Sequence, residues 1–446
     1  ASRGLGDVYK RQAIGHAPVI GLIDPAKGSI NAIAESLTNI VWAPMTEGLK
    51  SVSLSANWMW PCNNPGENDR LYQAVKACSD FTIDLGINIP TGKDSLSMKQ
   101  KYQEGDVLAP GTVIISSAGQ CEDIKKVVTP VSLPNKGNLY YINLSSEKHV
   151  LGGSSFGQIL NKIGSKAPGV NDVSFFKNAF NTLQELILNN KIISGHDISS
   201  GGLITSLLEM CFPSQNVGMD IDLTLLKEKD TTALLFAENS GLLMQSELDL
   251  SSYFADHGVD CHLIGKVTGT GKLTVRNNQD HLDLDVAQYC DIWFSTSAAL
   301  DTKQNKCAAE RFKNYKLTAL KFDFPPSFHG KLSPTNHRKI KAAIIREKGS
   351  NSEREMAYAM HSVGFEVYDI HMTDLIEGRK TLDEFQFIAA VGGFSNSDVL
   401  GSAKGWAGAF LYNPKAKKSL DNFFARKNTL SLGVCNGCQL FIELGM

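Results

Sequence analysis

From about Lys339 onward, short apolar runs alternate with amphipathic segments: KAAII, SEREMAYAMHSVG, FEVYDI, FQFIAAV and LSLGV follow one another in order. Strand-sized runs alternating with helix-sized ones point to a parallel, doubly wound sheet, because parallel neighbours require a crossover and a helix fills it. Such sheets bind ligands beyond the carboxyl ends of their strands. Two features fall there. FQFIAAV runs into Gly392, Gly393 and Phe394, and LSLGV runs into Cys435 within GVCNGCQ. The second feature reads as strand, sharp turn and helix with a thiol in the turn, the logic of the G-x-S-x-G elbow with Cys for Ser. Gly433 and Gly437 allow a tight turn and a close helix. Cys435 is therefore the candidate nucleophile: a helix N-terminus favours thiolate, and the next backbone N–H can bind an oxyanion. The glycine pair can turn backbone N–H groups toward a ligand, so Gly392, Gly393 and Phe394 form the candidate oxyanion loop. Cys438 is read as a packing residue; a redox couple with Cys435 is the alternative.

Upstream, the pattern is α+β or α/β. Ser29 to Val41 carries an apolar stripe and predicts a helix that Pro44 ends. Val52 to Asn57 alternates like a strand. Asn68 to Leu85 predicts a second helix, with Leu71, Ala74, Val75, Cys78 and Phe81 inward and Gly86 as its stop. GTVIISSAG is a further strand. A second block opens with LYYINL, contains a helix near Phe175 to Leu188, and continues through the strand KIISG, the loop HDISSGG and the helix LITSLLEM. No repeat is visible. Trp58, Trp60 and Tyr72 read as core. Lys93, Asp94 and Ser95 form a basic and hydroxyl cluster placed after a strand, without the glycine spacing of a Walker motif.

These signals divide the chain into residues 13–130, 131–300, a turn-rich linker over 301–338, and 339–446. Residues 1–12 (ASRGLGDVYKRQ) lack an apolar period and are expected to be a foreign leader. The last residues stop as a helical pattern begins, which suggests a fragment. A net charge of −2 argues against a nucleic-acid-coating protein. No run reaches the roughly 18 apolar residues of a membrane span. The nine cysteines are scattered and odd in number, so reduced thiols and a cytoplasmic location are expected.

GVCNGCQ and GGFSNSDVLGSAKGWA together resemble the class I glutamine amidotransferase domain of the large single-chain phosphoribosylformylglycinamidine synthases. ESLTN, LSANWMWP, PGENDRLYQAV, INIPTGKDSLSMK, GHDISSGGL and REKGSNSEREMA resemble segments of the same family, in the same order. The resemblance covers nearly everything from Ala13 to Gly445. It implies an aminoimidazole ribonucleotide synthetase-like half, the second of two such halves, followed by a truncated glutaminase. The absent first half would explain the lack of a repeat.

The implied activity is ATP- and glutamine-dependent amidation of formylglycinamide ribonucleotide in purine synthesis, by a ligase using ATP/ADP and Mg²⁺. Glutamine, formylglycinamide ribonucleotide and the remainder of a full-length chain are the implied partners, with no nucleic acid and no membrane. By resemblance, Glu35, Asn39 and Asp197 are metal ligands and Ser199 contacts nucleotide. Glu35 and Asn39 are four apart on one helix face, and their oxygens are hard donors suited to Mg²⁺. A further acidic ligand of the family lies upstream of the first residue. Ser200 stands where many relatives carry Asp, one negative charge fewer; neither it nor Lys93 is given a role. In the glutaminase the base is a His downstream of the nucleophile. Eleven residues follow Cys435 and none is His, and His361 and His371 do not match the base. The chain alone is thus expected to lack glutaminase activity. The alternative reading is a catalytically incomplete nucleotide-binding fragment.

Overall fold

The computed structural model describes residues 10–214, 216–304 and 340–446. It divides into two compact units, Ala1–Lys316 and Leu317–Met446.

The first unit opens with β1 (Lys10–His16), α1 (Pro18–Ile23), α2 (Pro25–Ile40), β2 (Ser53–Met59), α3 (Glu67–Leu85) and β3 (Asn88–Ser95). A hairpin of β4 (Lys99–Tyr102) and β5 (Gly105–Leu108) precedes β6 (Thr112–Gln120). The sheet order is β1-β6-β2-β3. Lys10, Arg11 and Gln12 pair with Gln120, Gly119 and Ala118, so the end of the expected leader is part of this sheet. Residues 1–9 lie outside the described residues.

Helix α2 starts where Asp24 accepts the Lys27 N–H and Pro25 supplies a preset φ. Ile33, Leu37 and Ile40 are fully buried. In α3, Ala74, Cys78 and Phe81 are buried as expected, but Val75 points to solvent. Trp60 is buried and Trp58 half-buried, whereas Tyr72 is exposed, so the expected aromatic core loses one member. Lys93 to Ser95 lie within β3 itself, paired with Asn57 to Met59, not after a strand.

The unit continues with β7 (Asn138–Asn143), α4 (Ser155–Ile159), α5 (Val173–Leu188), β8 (Ser194–Ile198), α6 (Gly202–Cys211), β9 (Gly218–Asp222) and α7 (Thr231–Phe236). Then come β10 (Gly241–Ser246), α8 (Leu250–Ala255), β11 (His262–Thr268), β12 (Lys272–Asn277), β13 (Asp280–Asp285) and α9 (Val286–Gln304). Its strands form a sheet in the order β13-β12-β9-β11-β7-β10-β8. Alternate residues face opposite sides, as the strand period requires. Ile142, Leu242 and Met244 join α2, α3 and α5 in one core, while Tyr141 and Leu243 pack with α6 in another. The first core therefore runs from one sheet to the other. Gln184 of α5 stitches it: its amide takes the Met45 N–H at 2.6 Å and donates to Val41 O and Ala43 O. Of the expected linker, residues 301–304 end α9 and residues 305–338 lie outside the described residues.

The second unit contains β14 (Lys341–Arg346), α10 (Glu353–Ser362), β15 (Glu366–His371), α11 (Met372–Glu377), β16 (Phe387–Ala390), α12 (Lys404–Leu411), α13 (Pro414–Ala425), β17 (Leu430–Gly433) and α14 (Asn436–Glu443). The strands are parallel in the order β15-β14-β16-β17. Ala342 and Ile344 pack beneath α10, and Ala343 and Ile345 against the helices of the other face. This is the doubly wound arrangement expected from the alternation of runs.

Candidate functional site

In the first unit, successive turns of α2 carry Glu35 and Asn39 on one face. Asn39 Nδ2 lies 3.4 Å from Asp197 Oδ2. Asp197 belongs to β8, paired opposite Leu242, so the strand runs through the segment expected to be a loop. Asp197 is 6% exposed. Glu35 accepts the His16 N–H at 2.8 Å. Burial pushes the Glu35 carboxyl up to about 7, and the charges of Asp197 and Glu238 add to this against the His16 hydrogen bond. Burial also raises the Asp197 carboxyl, while His196 opposes the rise. His196 stands between Asp197 and Glu209, at 3.5 and 3.4 Å. Burial alone would lower its pKa, but the Glu209 hydrogen bond and the two carboxylate charges outweigh it and leave it raised.

Glu35 opens onto a cleft of about 340 Å³. Its walls include His16, Asn31, Ser199, Ser200 and Glu238, contributed by both halves of the unit. Asn39 and Asp197 do not line it. Among the described residues, no group of three or more His, Cys, Asp and Glu side chains is spaced to hold a metal alone. The donors present are two carboxylates and an amide. Burial is the first cause that raises both carboxyls, and only Asp197 has a partly compensating neighbour, His196 at 3.5 Å. Few, hard oxygen donors fit Mg²⁺, which keeps waters and takes phosphate oxygens, better than a metal held in a closed cage. His16 and Glu238 escaped the sequence reading: the first acts through its backbone, and the second sits in no motif.

In the second unit, Gly433 of β17 pairs with Ala390 of β16, so the two candidate loops leave adjacent strand ends. Cys435 occupies φ 53, ψ −112, a strained position for a side-chain-bearing residue. Gly437 lets α14 press onto the strand: a Cβ there would lie 2.1 Å from Ala390 O. A Cβ on Gly392 would lie 3.3 Å from Cys435 Cβ, so the glycine loop borders the thiol. Cys435 and Cys438 are both free and exposed. Asn436 is buried and accepts the Ser395 N–H at 3.1 Å, tying elbow to loop. The Phe394 ring is exposed, but its N–H already donates to Gly349 O at 2.9 Å. It is therefore not free as an oxyanion donor in this conformation. The Asn436 N–H, directly after Cys435, has no acceptor among the described residues. His371 caps α11 through Thr373 N at 3.2 Å, and no described histidine hydrogen-bonds Cys435.

Three family models match: the FGAR-AT PurM_N-like domain over residues 6–120, the AIR synthase related protein C-terminal domain over 140–278, and the CobB/CobQ-like glutamine amidotransferase domain over 339–446. The probable phosphoribosylformylglycinamidine synthase, chloroplastic/mitochondrial, of Arabidopsis thaliana is 39% identical over 97% of this chain and 31% of its own length. The phosphoribosylformylglycinamidine synthase of Homo sapiens is 39% identical over 97% of this chain and 33% of its own. Among solved structures, T. maritima PurL complexed with FGAR superposes with a TM-score of 0.49 at 13% identity, covering 63% of this chain and 46% of that one. The chain spans about a third of the curated relatives it matches. Along 97% of its length the chain is a relative of phosphoribosylformylglycinamidine synthases, at 36–39% identity.

Proposed function

We propose that the first unit binds ATP or ADP with Mg²⁺ and that the second is of the glutaminase type, both serving amidation of formylglycinamide ribonucleotide. Glu35, Asn39 and Asp197 would hold Mg²⁺, and Ser199 would contact the nucleotide. The bound ion would supply charge neutralisation for phosphate oxygens. ATP would activate the formylglycinamide oxygen as a phosphate ester, and ammonia would displace phosphate there. The ammonia derives from glutamine: the Cys435 sulfur bonds to the amide carbon, the C–N bond breaks as nitrogen takes a proton, and water then hydrolyses the thioester to glutamate. Asn436 N–H and the Gly392-Gly393 loop are the donors nearest the developing oxyanion. Phe394 belongs to this loop as a wall.

The observation that carries the reading is Cys435 in its strained strand–helix turn, bordered by Gly392. With no described histidine on Cys435, the 446-residue chain is expected to bind and be alkylated without steady glutamine turnover, and the remainder of a longer polypeptide is its proposed partner. Reduced, scattered cysteines support a cytoplasmic location; no described helix is long and apolar enough to cross a membrane. A chloroketone analogue of glutamine, followed by peptide mapping, tests the thiol. Modification of Cys435 ahead of Cys438 and the other cysteines is expected. Equal labelling of both, or faster labelling of Cys438, would reject the nucleophile assignment.

A further inference from the structure

We infer that Glu238 is a positioning residue that fixes the shape of the nucleotide cleft, a proposal that rests on the nucleotide reading given above. A single carboxylate oxygen, Oε1, accepts the Gly201 N–H at 2.7 Å and the Ser155 N–H at 2.8 Å. The first donor belongs to the loop between β8 and α6 that carries Ser199 and Ser200 into the cleft. The second opens α4, across the same wall. Gly201 takes φ 88, so the loop reverses on a backbone conformation that L side chains rarely adopt. The turn is also braced from within by the Gly202 N–H to Ser199 O at 3.0 Å and by the Thr205 hydroxyl to Gly201 O at 3.1 Å, so what Glu238 adds is the tie from this loop to α4.

The neighbouring residue explains why the carboxylate is fixed. Asn239 is fully buried and donates to Ser145 Oγ at 2.9 Å and Lys148 O at 3.2 Å, and accepts the Val150 N–H. The Glu238-Asn239 pair thus gathers three segments far apart in sequence: 145–155, 199–201 and its own. Asn239 points into the protein and does structural work. Glu238 is only half-buried and lines the cleft, where its charge acts on Glu35. A negative side chain facing a phosphate-binding cleft is unfavourable by charge alone, so its hydrogen bonds to the two loops supply the reason for it.

The test separates bonding from charge. Glu238→Gln keeps an acceptor oxygen and removes the charge; Glu238→Ala removes both. Binding of ADP with Mg²⁺ to the 446-residue chain is measured by calorimetry, and backbone amide exchange is followed at residues 199–202 and 155. Glu238→Ala is expected to weaken binding by about tenfold or more, as loss of the two loop-holding hydrogen bonds implies, and to speed exchange at those amides while β7 and β10 stay protected. Glu238→Gln is expected to stay close to wild type in both. Wild-type binding by Glu238→Ala, or equal loss in the two variants, overturns the proposal. Failure of the wild-type chain to bind ADP overturns the nucleotide reading instead; the exchange measurement then still decides whether Glu238 holds the two loops.

Discussion

Replacing Glu35 by Gln should make the chain more stable when no cation is present, and less able to gain from Mg²⁺. The Glu35 carboxyl is raised from 4.5 to about 7, first by burial and then by Asp197 and Glu238. Between those values the folded chain keeps a proton that the unfolded chain has released. Stability therefore falls as pH climbs from 4.5 to 7, and the full cost is present above 7. At about 1.4 kcal/mol per pH unit the ceiling is roughly 3 kcal/mol. The side chain is 25% exposed, and water screens part of the charge, so about 1–2 kcal/mol is expected. Glu35→Gln retains an oxygen for the His16 N–H, which keeps the comparison clean. The assay is thermal unfolding in EDTA at pH 8 and again near pH 4.5. The variant should melt about 2 °C or more above wild type at pH 8 and match it at the lower pH. Adding saturating ADP with Mg²⁺ at pH 8 should raise wild type more than the variant. A variant no more stable than wild type at pH 8 in EDTA would refute the claim that burial and the neighbouring carboxylates disfavour ionised Glu35.

Gln184→Leu should cost about 3–5 kcal/mol, because it strands the Met45 N–H and the Val41 and Ala43 carbonyls inside the core; urea unfolding reads this, and a loss below about 1 kcal/mol would contradict it. Gly437→Ala would normally favour a helix by about 1 kcal/mol, but here its Cβ would meet Ala390 O at 2.1 Å. The variant should unfold earlier and lose alkylation at Cys435 while Cys438 still reacts with a small maleimide. Asn436→Ala removes the acceptor for the Ser395 N–H and the contact to Gln439, so the glycine loop should exchange its amides faster, at a stability cost of about 1–3 kcal/mol. Unchanged exchange at Ser395 would show that the loop is held from elsewhere.

Local patterns were legible where one face of an element is buried and the other wet. Helices α2, α3 and α5 fall where their apolar periods place them, within a few residues. Departures occur where pairing overrides local chemistry. His196, Asp197 and Ile198 read as loop residues, yet their backbones pair with β10. Lys93, Asp94 and Ser95 read as a cluster placed after a strand, yet β2 recruits them into the edge strand β3. Lys10 to Gln12 show no period because β1 is an edge strand open to solvent on one side. Val75 and Tyr72 are apolar or aromatic but lie on the outer face of α3, where none of the described residues covers them. Glu238 could not be picked out at all: its partners are 37 and 83 residues away.

Sequence alone determined the pieces with short-range logic. Glu35 and Asn39 share a helix face because four residues make about one turn, and Cys435 sits in a tight turn because small residues flank it. Tertiary structure decided what those pieces face. It brought Asp197 to 3.4 Å from Asn39 across 158 residues, buried Glu35 enough to raise its carboxyl to about 7, and engaged the Phe394 N–H with Gly349. Hydrogen bonds and desolvation depend on the distance and burial of groups far apart in the chain, and only the folded packing fixes either.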